Sequence, residues 1–278
     1  TSKSGFDGLS PAEKTAIGKQ LRSNWMPTQI NAPLNTSFQS NGGFTSKLFG
    51  KKFGGTFGIM YNRSFRNLDL LNRANVIDEN TYEVSIVSSY NDRKYQQEIS
   101  AGALGSVSLQ LNSFNKISVK SILNINSSNS VSQRNGEDFS RQDQLKGSEF
   151  TFKQNTFFTV QANGEHRLIK PLTFKWYGAF NILDGHIPDQ RRILYSKEAG
   201  TQHPYRLLIS NTLSQQSGSR IYQSLSDYIY TAGGDLSYKF KWLEQNQTLK
   251  GGYMLQVKDR LYDAKLFANY LPLDNDAL

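Results

Sequence analysis

From residue 34 onward apolar and polar residues alternate with period two, and the alternation stays clean over long stretches. In 97–111 the odd positions read Ile99, Ala101, Ala103, Gly105, Val107, Leu109 and Leu111, against mostly Glu, Ser, Gly and Gln at the even ones. In 116–127, Ile117, Val119, Leu123 and Ile125 oppose Lys116, Ser118, Lys120, Asn124 and Asn126. Segment 148–163 groups Phe150, Phe152, Phe158, Val160 and Ala162, and 172–184 groups Leu172, Phe174, Trp176, Phe180 and Ile182. Segment 249–261 sets Leu249, Tyr253, Leu255, Val257 and Leu261 against Lys250, Gln256, Lys258 and Arg260. Successive side chains of a strand point to opposite faces, so the pattern predicts strands with one apolar and one polar side.

The connections between these strands alternate in length. Short ones fall at Gly50-Lys51-Lys52, at Asn112-Ser113-Phe114-Asn115, in 164–171 and at Glu244-Gln245-Asn246, with long polar stretches at about 66–92, 128–146 and 185–224 between them. Strands then run up and down, with tight turns at one end and long loops at the other. A sandwich has no reason to sort its loops this way, whereas a transmembrane barrel does. Runs such as 97–111 and 247–270 exceed the ~9–11 residues that a strand needs to cross the hydrocarbon. About eight such strands fit, which predicts an arc cut from a larger barrel. Phe53, Phe57, Trp176 and Trp242 fall where a bilayer interface is expected and are candidate girdle aromatics; ordinary core packing is the other reading of each.

The helical signal is confined to the start. Ser10-Pro11-Ala12-Glu13 has capping-box form, which predicts a short helix from Pro11 to Ser23. The expected organisation is a loop with a helix over 1–33 and barrel strands and loops over 34–278.

Composition fits a membrane β-protein without requiring one. The chain has 278 residues, 37% of them hydrophobic and 12% aromatic, too aromatic for a disordered polyelectrolyte. No run approaches a membrane-spanning helix, which leaves a strand-built membrane protein open. The absence of cysteine excludes a disulfide scaffold and thiol-ligated metal. Thr1-Ser2-Lys3-Ser4-Gly5-Phe6 has no apolar core of a signal peptide. The net charge of +9 is spread along the sequence without a run of like charge, so no nucleic-acid partner is expected.

Four groups of residues resemble the TonB-dependent outer-membrane receptors of Bacteroidetes type, in which a plug sits inside a 22-stranded barrel. Leu9-Ser10-Pro11-Ala12-Glu13-Lys14, with Trp25 and Ala32-Pro33, is similar to the extracellular loop after the first barrel strand. Lys47-Leu48-Phe49-Gly50-Lys51-Lys52-Phe53-Gly54 resembles the tight hairpin that follows. Gly164-Glu165-His166-Arg167-Leu168, with Pro188-Asp189-Gln190-Arg191-Arg192 and Tyr195, resembles a turn, a spanning strand and its entry into an outer loop. Lys250-Gly251-Gly252-Tyr253, with Lys258-Asp259-Arg260-Leu261-Tyr262-Asp263-Ala264, resembles a later strand. The resemblance implies a Gram-negative outer-membrane location and energised uptake of a scarce nutrient: an oligosaccharide, a peptide or a metal chelate. Its implied partners are outer-membrane lipid, a plug domain absent from these residues, the TonB coupling system behind that plug, and a surface lipoprotein. Without a plug, this stretch is not expected to transport by itself.

The residues support a narrower chemistry. Lys120, Lys153, Lys175, Lys250, Lys258 and Arg260 would line a wet interior, free for a polar ligand or ion-paired to a neighbouring strand. Segment 185–224 offers His186, Asp189, Arg191, Arg192, Tyr195 and Tyr205 as ligand contacts, with folding of the loop onto the strand ends as the other reading. The three histidines lack HExxH spacing, and no nucleophile elbow, Walker loop or dinucleotide fingerprint occurs, so neither an enzyme nor a cofactor is expected. The competing functions are a soluble all-β adhesin or carbohydrate-binding module, with its apolar faces packed together, and a plug-free passive porin.

Overall fold

The computed structural model describes residues 8–21, 24–209 and 217–269, and the chain divides into two compact units, Thr1–Ile30 and Asn31–Leu278. The first unit holds helix α1 (Pro11–Gln20). Its capping box forms as the sequence predicts: the Ser10 hydroxyl accepts from the Glu13 amide, and the Glu13 carboxylate accepts from the Ser10 amide at 2.8 Å. The Ser10 hydroxyl also donates to the Glu13 carboxylate at 2.8 Å, and this bond together with that from the Ser10 amide holds the Glu13 carboxyl below the usual carboxylate range. The helix ends before the expected Ser23, because Leu21 is already extended (φ −70°, ψ 144°), and Ser23 itself lies outside the described residues.

The second unit is all β. Its strands are β1 (Thr36–Leu48), β2 (Lys51–Ile77), β3 (Val84–Asn112), β4 (Asn115–Asp138), β5 (Asp143–Ile169), β6 (Leu172–Glu198), the two-residue β7 (Arg206–Leu207), β8 (Ser219–Trp242) and β9 (Gln245–Ala268). They form one antiparallel sheet in the order β1-β2-β3-β4-β5-β6-β8-β9, with β7 beside β6. Each strand pairs with its sequence neighbours, up and down, and the sheet is open: among the described residues β1 pairs only with β2, and β9 only with β8.

The short turns lie at 49–50, 113–114, 170–171 and 243–244, the second and third within the expected segments and the first and last starting one residue before the expected Gly50-Lys51-Lys52 and Glu244-Gln245-Asn246. Phe49 (φ 50°) and Gly50 (φ 73°) take left-handed backbone in the first, and Leu243 and Glu244 do so in the last. The long loops expected at 66–92, 128–146 and 185–224 are largely strand instead. The strands continue upward, and the connections at that end shrink to 78–83, 139–142 and 199–218. The physical reason is that period-two alternation is visible only where one face is apolar. Above residue 62 of β2 both faces mix polar and apolar residues (Arg63, Phe65, Asn67 and Asp69 on one, Ser64, Arg66, Leu68 and Leu70 on the other), yet the backbone ladder continues unbroken to the bulge at Ala74/Asn75.

Register fixes the faces, because cross-strand partners share a side. One row reads Phe53, Leu109, Ile117, Gly164, Trp176, Gly234 and Tyr253; another reads Ile59, Ala103, Leu123, Phe158, Ile182 and Tyr228. The apolar side chains therefore merge into one belt next to the short turns. It covers 53–61 of β2, 99–109 of β3, 117–125 of β4, 158–164 of β5, 174–182 of β6, 228–238 of β8 and 249–257 of β9. No second layer covers it among the described residues, and Leu145 and Ile193, both above the belt, are the buried hydrophobics. Belt residues such as Tyr253 (77% exposed) and Leu249 (68%) stand open.

Candidate functional site

All four girdle candidates fall on the belt face, Phe53, Phe57 and Trp176 by cross-strand register and Trp242 at the short-turn end of β8. Trp176 lies flat on Gly164, where a Cβ would collide with the indole. Its Nε1–H donates to His166 Nε2 at 3.0 Å, and His166 Nδ1 is 2.7 Å from Asn115 Oδ1. Phe44 packs against Phe53 with ring centres 5.5 Å apart.

The polar face carries the charge. Lys120, Lys153, Lys175, Lys250, Lys258 and Arg260 all lie on it, as the alternation predicts. Four of them are tied to carboxylates on adjacent strands: Lys175 to Glu165 at 3.2 Å, Lys250 to Asp235 at 3.3 Å, and both Lys258 (3.0 Å) and Arg260 (2.7 Å) to Asp227. For these four the ion-pair reading is the one realised. Higher on the same face, Arg134 grips Asp92 through two bonds of 2.8 and 2.7 Å and lies over the Tyr90 ring at 4.6 Å. The Asp92 bonds raise the Arg134 pKa, and burial raises that of the Tyr90 hydroxyl. Beside them, Glu149 accepts from Gln190 at 2.9 Å and from Arg192 Nε at 2.6 Å.

The ligand-contact candidates of 185–224 do not share one surface. Strand β6 carries a bulge between Ile187 and Gln190, where Pro188 has no N–H for the ladder. Against β5, Phe150 pairs with Arg191 while Gln154 pairs with His186, so β6 has one extra residue there. That residue reverses the parity above it. His186, Arg191 and Tyr195 stand on the belt face above the belt, whereas Arg192 turns to the polar face and reaches Glu149. Asp189, on the bulge, lies between Arg191 (3.5 Å) and the nearly buried Arg220 (3.6 Å), and Arg191 packs over Phe150. Tyr205 sits between Lys146 and Lys197, whose ammonium groups are 4.6 and 5.2 Å from its ring centre. Pro188, Asp189, Arg191 and Arg192 thus shape the strand, the structural one of the two readings of this segment.

Sequence reasoning missed a feature that only register reveals. The two-residue turn at 49–50 sets Lys47 directly opposite Lys52, and the row continues through Gln110 to Lys116. Lys47, Lys52 and Lys116, scattered along the sequence, therefore share one row of the polar face. The signal was present in the hairpin itself, since a two-residue loop fixes the pairing of its flanks. Comparison with known proteins finds no matching family model, no matching curated protein and no matching solved structure.

Proposed function

We propose that the chain is an arc of a transmembrane β-barrel from a TonB-dependent outer-membrane receptor, serving energised uptake of a scarce nutrient. The observation that carries the reading is the one-sided belt. Seven strands present apolar side chains over about 7–11 residues each, close to the length that crosses a hydrocarbon layer at the tilt of a barrel strand. With strands about 4.8 Å apart, seven strands and a band about 25 Å tall give a patch of about 840 Å². Soluble monomers keep their largest apolar patch to about 300–600 Å². A sandwich reading needs a second sheet over this patch, and the single layer favours lipid as its solvent. The opposite face, polar and ion-paired, suits a water-filled interior or a plug.

The open edges support an arc in preference to a complete small barrel. Native edge strands are shielded by proline, bulges or short length, but β9 pairs with β8 over its full length without a register shift and contains no proline. It is built as an interior strand. The polar hairpins then project about 50 Å beyond the belt, and on this reading they are the extracellular, ligand-facing parts. The experiment is residue-level lipid contact in the full-length protein in bilayers, using single cysteines at Val119 and Ser118. A lipid-soluble quencher should reach a probe at Val119 and miss Ser118, with a water-soluble one doing the reverse. Equal quenching at both, or a full-length protein freely soluble without detergent, removes the membrane reading.

A further inference from the structure

The polar face is not uniformly charged, and the asymmetry points to a ligand class. Beside the belt, its β5–β9 half pairs each acid with a cation: Glu165 with Lys175, Asp235 with Lys250, and Asp227 with Lys258 and Arg260. Its β1–β4 half carries one acid beside the belt, Glu98, already tied to Arg66 at 3.0 Å, and none nearer the short turns. There the rows read Lys47, Lys52, Gln110, Lys116; then Thr45, Gly54, Ser108, Ser118; then Gly43, Thr56, Ser106, Lys120. All four lysines are exposed, and Lys47 faces Lys52 directly across the hairpin. Like charges directly opposite on a sheet are destabilising, and the one carboxylate next in the first row, Glu165 opposite Lys116, is already held by Lys175 at 3.2 Å. Its remaining side chains are hydroxyls and an amide around small glycines, a surface of hydrogen-bond donors with room above it. Thr56 and Ser106 already share a hydrogen bond of 2.8 Å, which orders the two hydroxyls at its centre.

We infer that this strip binds a polyanionic solute, one carrying several sulfate, phosphate or carboxylate groups, through Lys47, Lys52, Lys116 and Lys120. The inference rests on the barrel reading, because a water-filled, low-dielectric-walled interior is what makes one sign of charge act at a distance. Rings of lysine and arginine select anions in pores by the same physics. Complementarity of charge singles out the occupant: the four lysines outnumber the single carboxylate beside them, Glu165, which Lys175 already holds. Hydroxyl and amide donors suit the oxygens of sulfate and phosphate, and the glycines leave space for a bulky scaffold carrying them.

The test uses the full-length protein in detergent and measures binding of a fluorescent, fully sulfated heparin tetrasaccharide beside neutral maltotetraose. The wild type should bind the sulfated probe, weaken steeply with salt, and ignore the neutral one. The fourfold variant K47Q/K52Q/K116Q/K120Q should bind at least about tenfold more weakly, each lost charged hydrogen bond being a sizeable fraction of a decade or more. A second variant, K51Q/K170Q, removes lysines at the short turns outside the strip and should bind as the wild type does. No binding by the wild type, an unchanged fourfold variant, or equal loss in the control overturns the assignment. Tighter binding of an acidic protein domain or a single-stranded oligonucleotide than of the tetrasaccharide overturns the solute as occupant. Lipid quenching at Val119 reports separately on the barrel reading, so a protein that embeds but ignores the sulfated probe defeats this inference alone.

Discussion

Gly164→Ala probes the packing of the belt at its most constrained point. The Trp176 indole lies against Gly164 so closely that a methyl group there must displace the ring. Displacement breaks the 3.0 Å bond from Trp176 Nε1 to His166, worth about 1 kcal/mol, and overpacking adds about 1–3 kcal/mol. The alanine recovers about 0.4–1 kcal/mol by restricting the unfolded chain. The net is a loss of about 1–3 kcal/mol. With a urea slope of about 1–3 kcal/mol per molar, the unfolding midpoint should fall by about 1 M. The assay is reversible urea unfolding of the full-length protein in micelles, followed by tryptophan emission with every tryptophan other than Trp176 replaced by phenylalanine. Emission from Trp176 should also shift to the red as the ring leaves its seat. Gly178→Ala is the matched control, because a Cβ there meets nothing within 4 Å; it should leave the midpoint unchanged or raise it slightly. If Gly164→Ala unfolds at or above the wild-type midpoint with unshifted emission, the indole does not rest on that glycine.

Three further outcomes follow from named contacts. Asp78 accepts from the amides of Asn80 (2.8 Å) and Thr81 (3.1 Å), which lowers its pKa. The order it lends the β2–β3 tip is therefore present above the ordinary aspartate value of about 3.9 and is lost as pH falls through the depressed one; hydrogen exchange at those two amides should lose its protection on acidification, and D78N should lack that step. Replacing Asp227 by Asn leaves Lys258 and Arg260 facing each other without an anion, so D227N should unfold at lower urea than R260M, and the reverse order would mean that Asp227 is not their shared partner. Replacing Glu149 by Ala removes the anion that Gln190 and Arg192 share across the β5–β6 seam just above the bulge. Limited proteolysis within 190–198 should then run about tenfold faster, corresponding to about 1.4 kcal/mol of local stability; an unchanged digestion rate would show that the seam is held elsewhere.

What the sequence disclosed follows from where two faces differ. Ile99 to Leu111, or Leu249 to Val257, announce their strands because every second residue is apolar, and the four tight turns follow from the breaks between such runs. Gln133-Arg134-Asn135-Gly136 carries no such contrast: Arg134 and Gly136 look to one side and Gln133 and Asn135 to the other, all of them compatible with water. The strand there is held by its ladder and by Arg134 gripping Asp92, a residue 42 positions away, which no local pattern displays. The β6 parity switch was hidden for a related reason. Pro188 marks a place where pairing must fail, but whether the strand bends, ends or bulges depends on β5 and β8. The Lys47–Lys52 opposition was legible in principle from the hairpin, but reading Gly50-Lys51-Lys52 as the turn, where the turn is Phe49-Gly50, moved the pairing out of view.

A sheet with so little dry core must draw its order from elsewhere, and its two halves do so differently. Beside the belt, each strand is paired on its flanks and its apolar side chains have no internal partner layer, so their transfer from water has to be completed by an outside solvent. Above the belt apolar burial is confined among the described residues to a few side chains such as Leu145 and Ile193, and a lone hairpin is at best marginally stable. The upper strands instead support one another: β3, β4, β5 and β6 are each hydrogen-bonded on two sides over most of their length, and ion pairs cross the seams at Arg66–Glu98, Arg134–Asp92 and Arg192–Glu149. Each such pair contributes modestly, but they tie successive strands in series, so no hairpin can separate without breaking its neighbour's seam. The exception is the upper part of β2, which outruns β1 beyond Arg63 and has only the Asn35 side chain, bonded to the Phe65 amide at 2.8 Å, to close its outer side. The same physics that lets the strands rise past the belt therefore makes that edge their weakest member.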